Sequence, residues 1–448
     1  MKKSLVIIGG GSAGLGATRA ALALDVRPTL ITDGPVGGDC TFTGCVPSKS
    51  LLSSSAAGME FSEAVVAMRA VIDEIAAEES AEVLRGEGAE VIEGRAQLVG
   101  PNTIEVNGER LEAEKIILAL GSSPVVPPIE GIEDVEVLTN HSLFELDELP
   151  ARMAIIGGGP IGVEMATAFV RFGSQVTLIE GTDRLLAQEE LAASEVVLQA
   201  LIDLGVDVRL GGFAERFTNE GDAIGVSVDG AEIVVDKVLV AAGRRPNVDS
   251  VDLDAGQVGL TERRAIKVDD TMRTSNSSIY AAGDITALAV FTHAADEQAR
   301  LAVGHALGKG SRWKYNPAAT PRVTYTSPEV ASVGVTESDA PKGSRVVELP
   351  LTKLDRAIVM GETEGFVKLI AAPRPILGHR FGGRLVGATI VASRAGEMIH
   401  GPTLAVSMGF FTGRLAQVMT AYPTWTNAVQ QAAGQFFRDG WREANRPS

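Results

Sequence analysis

The 448-residue sequence predicts an α/β fold: two βαβ nucleotide-binding units in one chain, with an α+β domain behind them. Three observations predict it. The chain is too long for one hydrophobic core, so roughly three domains are expected. A glycine fingerprint occurs twice in matching surroundings, and the texture changes after Lys314 to a mixed α+β pattern with no further fingerprint. At 45% hydrophobic and 22% charged residues, the composition suits a globular protein that buries such cores.

The repeat carries most of the weight. Leu5-Val6-Ile7-Ile8 runs into Gly9-Gly10-Gly11-Ser12-Ala13-Gly14, and Met153-Ala154-Ile155-Ile156 into Gly157-Gly158-Gly159-Pro160-Ile161-Gly162. Each copy has an apolar strand, G-x-G-x-x-G, an Ala-rich helical stretch, and a second strand at the same offset, 27–32 and 175–180. This is the Rossmann-like plan. The first glycine (Gly9, Gly157) permits the turn, and the second (Gly11, Gly159) lets backbone N–H groups approach a pyrophosphate. The third (Gly14, Gly162) lets the helix pack on the strand, and its N-terminus supplies partial positive charge. Two nucleotides are expected. Glu180 closes the second strand of the second unit, where a carboxylate accepts from a ribose 2′-OH and repels a 2′-phosphate. NADH is therefore favoured over NADPH, although nearby Arg184 leaves room for NADPH. In the first unit the equivalent position is Thr32, with Asp33 as the ribose candidate one residue later.

Between the repeats, 63–85 reads as helix and 90–120 as strands turning at Pro101-Asn102 and Asn107-Gly108. The strand at 115–120 ends in Gly121-Ser122-Ser123-Pro124, and that at 238–242 in Gly243-Arg244-Arg245-Pro246-Asn247. Each resembles a strand that delivers backbone to a nucleotide. The 40 basic and 57 acidic residues give a formal charge of −17, which repels phosphate backbones and anionic lipid. Neither nucleic acid nor membrane is an expected partner. Met1-Lys2-Lys3 could open a secretory leader, but glycines 9–11 cut the apolar run and Arg19 follows, so a strand explains it better. No stretch of 18 apolar residues occurs, and the cytoplasm is the expected compartment.

Only two cysteines are present, Cys40 and Cys45. Structural disulfides are rare in cytosolic proteins, and a zinc site would need a second ligand pair, so redox chemistry is favoured and no resident metal is expected. Pro47 suits a first helical turn, which puts Cys45 near a helix N-terminus where the dipole stabilises a thiolate.

The run Gly37-Gly38-Asp39-Cys40-Thr41-Phe42-Thr43-Gly44-Cys45-Val46-Pro47-Ser48-Lys49 resembles the redox-active motif of the flavin-dependent pyridine nucleotide–disulfide oxidoreductases, a family that includes dihydrolipoamide dehydrogenase, glutathione reductase and mercuric reductase. Ile279-Tyr280-Ala281-Ala282-Gly283-Asp284 resembles its second FAD motif, and 243–247 and 325–334 are similarly typical. The resemblance spans essentially the whole chain. It implies FAD and a nicotinamide nucleotide as cofactors, with Gly38, Gly121, Asp284, Gly243 and Arg244 joining the fingerprint residues as cofactor contacts. The implied domain order is FAD-binding (1–150), NAD(P)-binding (151–267), FAD-binding again (268–315) and dimerisation (316–448). Cys40 would be the interchange thiol and Cys45 the flavin-contacting charge-transfer thiol. Lys49 and Glu164 would pair near the flavin, and a helix from Thr292-His293 would aim its N-terminus at it. The implied assembly is a homodimer whose active site is shared between subunits.

Three departures shape the functional expectation. Disulfide-reducing relatives carry a His-Pro-Thr acid–base with a Glu five residues beyond the His, supplied by the partner subunit. Here Tyr422 stands for the His and Asn427 for the Glu. A Tyr of pKa near 10 is a poor acid–base at neutral pH, and losing a positioned one costs about 10²–10⁴-fold. Tyr at this position looks like mercuric reductase, yet this chain ends Arg446-Pro447-Ser448 without the Cys pair of that enzyme. Asp39 replaces the usual Thr and is expected to disfavour a Cys40 thiolate by repulsion. The expectation is an FAD-dependent NAD(P)H oxidoreductase delivering electrons through Cys40–Cys45 to a metal ion, a quinone or an unusual disulfide. The alternatives are a low-molecular-weight disulfide reductase or dihydrolipoamide dehydrogenase with an altered acid–base, and a non-catalytic redox sensor.

Overall fold

The structure is a computed structural model that describes residues 2–309, 313–438 and 440–444, so Met1 and the Arg446-Pro447-Ser448 end lie outside the described residues. The first lobe is built on a seven-stranded sheet. Its parallel part places Lys3–Ile8 between Thr29–Thr32 and Glu109–Leu118, with Glu90–Glu93 at one edge. Ile279–Ala281 pairs with Glu109–Leu118 although some 160 residues separate them, so the chain leaves this lobe, builds another and returns. The excursion forms a parallel sheet ordered Asp207–Leu210, Gln175–Glu180, Arg152–Ile156, Lys237–Val240, Val137–Leu138, with a three-stranded antiparallel meander over 214–235. The third unit is a six-stranded antiparallel sheet carrying helices such as Asn427–Gln435.

The repeat holds down to single hydrogen bonds. Gly9 N donates to Ile31 O and Gly157 N to Ile179 O, both at 2.8 Å; Ala119 N donates to Ile8 O and Ala241 N to Ile156 O, again both at 2.8 Å. Gly9 and Gly157 adopt φ of +110° and +112°, which only glycine takes without strain. A Cβ on Gly14 would stand 1.8 Å from Gly9 O, and one on Gly162 1.8 Å from Gly157 O. These are backbone atoms with nowhere to go, so both helices, Ser12–Leu22 and Pro160–Phe172, start against their strands only because no side chain intervenes. The second helix also shows the proline-first, glycine-after asymmetry: Pro160 opens it and left-handed Gly173 closes it, donating to Phe169 O and Val170 O.

The expected helix at 63–85 is two helices, Phe61–Glu79 and Ala81–Glu87. Ser80 adopts an extended conformation, and its hydroxyl accepts from Val83 N at 3.3 Å, capping the second helix. Phe61, Ala64, Val65 and Met68 line one face of the first and bury it. That face meets the second lobe, with the Phe61 and Phe169 rings 5.8 Å apart. The strands turning at 101–102 and 107–108 are where the sequence puts them.

A charged cluster ties the second lobe to the third unit. Lys368, 5% exposed, reaches Glu190 at 3.2 Å, Glu337 at 3.3 Å and Glu348 at 3.4 Å, and Arg442 also binds Glu337. Burial pulls the Lys368 ammonium pKa down, but these carboxylates outweigh it and leave it raised. Among the described residues no helix is long and apolar enough to cross a membrane.

Gly162→Ala should destabilise the chain by about 1–3 kcal/mol, because the added carbon cannot be accommodated by a rotamer change. Denaturant unfolding against the wild type measures it; an unchanged midpoint would show that the helix can back away from its strand.

Candidate active site

The cysteine loop is held by its backbone. Cys40 lies on the short helix Gly38–Phe42, and Cys45 is the first residue of the helix Cys45–Ala56. Gly44 joins them; a Cβ there would stand 2.7 Å from Asp39 O, so the loop closes as tightly as it does only with glycine. Gly38 has φ +59° and a Cβ there would fall 2.8 Å from Gly11 Cα, which brings the loop against the first fingerprint. Gly37 N donates to Gly10 O at 2.9 Å.

At the sulfurs, Cys45 meets Thr292 Oγ1 at 3.4 Å. Thr292 opens the helix Thr292–Ala306, so two helix N-termini face one thiol. The Cys45 pKa is lowered to about 6 by a hydrogen bond from Cys40 first, against the opposing effect of burial, with Thr292 and the Lys49 charge assisting. The Cys40 thiol moves strongly upward, chiefly because it donates to Cys45, then through burial and the Cys45 charge. The pair is therefore one thiolate, Cys45, held by one thiol, Cys40.

Lys49 lies one turn beyond Cys45, and its Nζ is 2.8 Å from Glu164 Oε2. Glu164, 4% exposed on the helix Pro160–Phe172, also accepts from Tyr325 N at 2.9 Å, and Lys49 Nζ stands 4.7 Å from the Tyr325 ring centre. The ion pair thus joins the cysteine helix, the second lobe and the third unit. The Thr292 helix is anchored behind: His293 Nε2 bonds to Pro321 O at 2.9 Å, and Gln298 Oε1 accepts from Gly283 N at 2.8 Å, next to Asp284. Burial raises the Asp284 carboxyl pKa, opposed by a bond from Ser122 and by Arg244.

Asp39 has a partner that the sequence did not disclose. The largest influences on the Cys40 thiol are Cys45, burial, Thr292 and Ser12. Asp39 Oδ2 binds Arg244 Nη2, with His141 Nε2 at 3.3 Å. Arg244, expected at a nucleotide, commits its guanidinium to protein: Nε to Ser122 Oγ at 2.7 Å, Nη1 to Asn140 Oδ1 at 3.1 Å, Nη2 to Ser122 O at 2.7 Å and to Asp39. Asn140 carries no motif and Ser122 stands out only as part of the strand end 121–124, so the fold alone reveals their contacts with Arg244. Tyr422 is 72% exposed and donates to Asp355 Oδ2 at 2.8 Å, which raises its pKa. Asn427 does not pair with it; its amide binds Thr420 Oγ1 at 2.7 Å.

The residues present fit FAD and a nicotinamide nucleotide. A Cβ on Gly11 or Gly121 in the first lobe, or on Gly159 or Gly243 in the second, would meet nothing within 4 Å, in contrast to the closed third glycines. The open glycines of each lobe sit at adjacent strand ends, where a pyrophosphate can reach backbone N–H groups. A cleft of about 600 Å³ beside the first fingerprint is lined by Thr32, Asp33, Gly34, Phe42 and Arg95, which suits an adenosine end. Asp33 is exposed there. In the second lobe Glu180 Oε2 accepts from Gly158 N at 2.6 Å and Oε1 from Thr182 N at 2.8 Å.

Because Cys45 is ionised above about pH 6 and protonated below it, alkylation of the reduced protein at Cys45 should rise through a midpoint near 6. Lys49→Met should move that midpoint upward by removing a stabilising charge. Mass-mapped labelling rates across pH test both; a Cys45 midpoint at the ordinary thiol value would refute the assignment.

Residues 3–306 match the pyridine nucleotide-disulphide oxidoreductase family, and residues 320–433 match its dimerisation domain. A mercuric reductase from Bacillus cereus is 34% identical, over 97% of this chain and 71% of that protein. A dihydrolipoyl dehydrogenase from Thermus scotoductus is 31% identical over 99% of each. Among solved structures, the Cu(II) complex of the HOCl-induced flavoprotein disulfide reductase RclA from Escherichia coli gives a TM-score of 0.86 at 28% identity, covering 96% of this chain and 99% of that one. LpdA from Mycobacterium tuberculosis gives 0.88 at 27%, covering 97% and 99%. The chain belongs to the pyridine nucleotide–disulphide oxidoreductases: it is an FAD-dependent NAD(P)H oxidoreductase with that family's dimerisation domain.

Proposed function

We propose that this enzyme oxidises NADH and delivers the electrons through Cys40 and Cys45 to a metal ion or a quinone. The observation that carries the choice of acceptor is Tyr422. A disulfide acceptor releases a thiolate that must be protonated, and the residue in the acid–base position is a phenol whose pKa is raised by Asp355. A metal ion takes up electrons alone, and a quinone releases no thiolate and can draw its protons from Cys40 and water. The mercuric reductase and the copper complex among the relatives agree in kind.

Bound FAD supplies the two-electron link between hydride donor and dithiol. The chain's own residues do the rest. The fingerprint loops hold the two pyrophosphates, and Glu164 fixes Lys49 beside the cysteine helix. In net terms one hydride, two electrons and a proton, splits the Cys40–Cys45 bond into a thiol and a thiolate. The proton stays on Cys40 and the charge on Cys45, where Thr292 and two helix N-termini stabilise it. Cys40 then meets the acceptor, and the disulfide re-forms as two electrons pass to that acceptor and the Cys40 proton leaves, to water when the acceptor is a metal ion and to the reduced oxygen when it is a quinone. In a homodimer Tyr422, exposed in one subunit, would complete the other's site, a reading that the dimerisation domain supports.

NADH is the nucleotide because Glu180 presents a carboxylate at the ribose edge. Arg184 has two of its donors already committed, Nη1 to Glu189 O and Nη2 to Ala187 O within its own turn, which leaves fewer for a 2′-phosphate. A low-molecular-weight disulfide reductase is the second reading, favoured by the dihydrolipoyl dehydrogenase that matches over its full length.

Steady-state assays with NADH should give turnover with Hg²⁺, Cu²⁺ or quinones about 10²-fold or more above that with lipoamide or glutathione disulfide. Tyr422→His with Asn427→Glu should narrow the gap. Fast lipoamide turnover by the wild type would replace this reading with the second. Glu180→Ala should shift the NADH-to-NADPH ratio of kcat/KM by about 10-fold toward NADPH, about 1.4 kcal/mol; an unmoved ratio would remove Glu180 from the ribose site.

A further inference from the structure

Arg244 joins parts of the molecule that the reaction must keep in step. It follows Gly243, whose Cβ position is open and whose φ is +118°, at the end of the strand Lys237–Val240 that borders the second fingerprint. From that edge the guanidinium reaches the cysteine loop by two routes. One is direct, to Asp39, the residue before Cys40. The other passes through Asn140, which accepts from Arg244 Nη1 at 3.1 Å and donates through Nδ2 to Thr43 O at 3.1 Å, between the two cysteines. A third arm, Ser122, accepts from Arg244 Nε and donates to Asp284 Oδ2 at 2.6 Å. His141 Nε2 approaches the same Asp39 oxygen from the solvent side. The Arg244 side chain is largely buried while that of Asp39 is 43% exposed, so the pair spans the boundary between the protein and solvent.

We propose that Arg244 is a positioning residue, clamped to the cysteine loop by Asp39 and Asn140, through which a nicotinamide nucleotide at the Gly243 edge controls the exposure of the Cys40 thiol. Asp39 supplies the charged partner in that connection. Nucleotide contact at Gly243 settles the adjoining Arg244, and the two arms pass that constraint to either side of Cys40. The proposal rests on the second lobe binding nucleotide and on Cys40 being the thiol that meets the acceptor, but not on the identity of the acceptor.

The test is alkylation by iodoacetamide of the holoenzyme carrying Cys45→Ser, which removes the competing thiolate, at alkaline pH and mapped to Cys40 by mass spectrometry, with and without saturating NAD⁺. In this background NAD⁺ should slow Cys40 labelling by about 5-fold or more, the lower end of ordinary coupling. With Asp39→Asn or Asn140→Ala added, the two rates should become equal, whereas Asp39→Glu, which keeps the charge, should retain the difference. Thermal melts of each variant establish that the fold is intact. Equal rates with Asp39 and Asn140 both present, or a response surviving in either variant, would overturn the coupling. Calorimetry with NAD⁺ separates the failures: a holoenzyme that does not bind NAD⁺ overturns the nucleotide reading and the coupling together, whereas binding without an effect on labelling overturns the coupling alone.

Discussion

A backbone carbonyl pressed where a side chain would otherwise stand organises both nucleotide lobes. Gly9 O faces the α-carbon of Gly14, and Gly157 O faces that of Gly162, each at a distance no Cβ could share. That contact sets how near the first helix of each lobe comes to its strand, and so where the helix N-terminus points. From it follow the open glycines at 11, 121, 159 and 243, the seating of Gly38 on Gly11, and hence the position of the cysteine loop at the edge of the first lobe. The chemistry at Cys45 is downstream of packing that involves no reactive group.

Charge is handled differently in the three places where the units meet. Around Cys45 a single thiolate is stabilised by a thiol, a hydroxyl, an ammonium and two helix ends. Around Arg244 one guanidinium is shared among a carboxylate, an amide, a hydroxyl and a carbonyl. Around Lys368 one ammonium faces three carboxylates. Each is a multi-partner arrangement, as expected where charged groups leave water and every donor needs an acceptor.

How much of this the sequence disclosed depends on the range of the interaction. The doubled fingerprint was legible because strand, glycines and helix are contiguous, and the same hydrogen bonds recur in both lobes. Cys45 at a helix start was legible from Pro47, and the turns at 101–102 and 107–108 from their residues. The break at Ser80 was not, because helix-favouring residues on both sides hide a serine that acts as a cap. Asp39 was legible as a departure, but its pairing was not, because the partner lies 205 positions away. Asn140, Ser122, Lys368 and Glu190 belong to the same class: polar residues without periodicity, whose meaning is a long-range contact. Tyr422 and Asn427, aligned by spacing, turn to Asp355 and Thr420.

The meeting of the Cys45 and Thr292 helix ends has a consequence for traffic at the site. Two aligned sets of peptide dipoles point their electropositive poles at the same sulfur, with Lys49 alongside. The anionic sulfur is the charge that balances this electropositive corner. Once that sulfur is capped as a neutral thioether, the two helix ends and the ammonium are left uncompensated, and the corner becomes a place where a small anion such as a halide can settle.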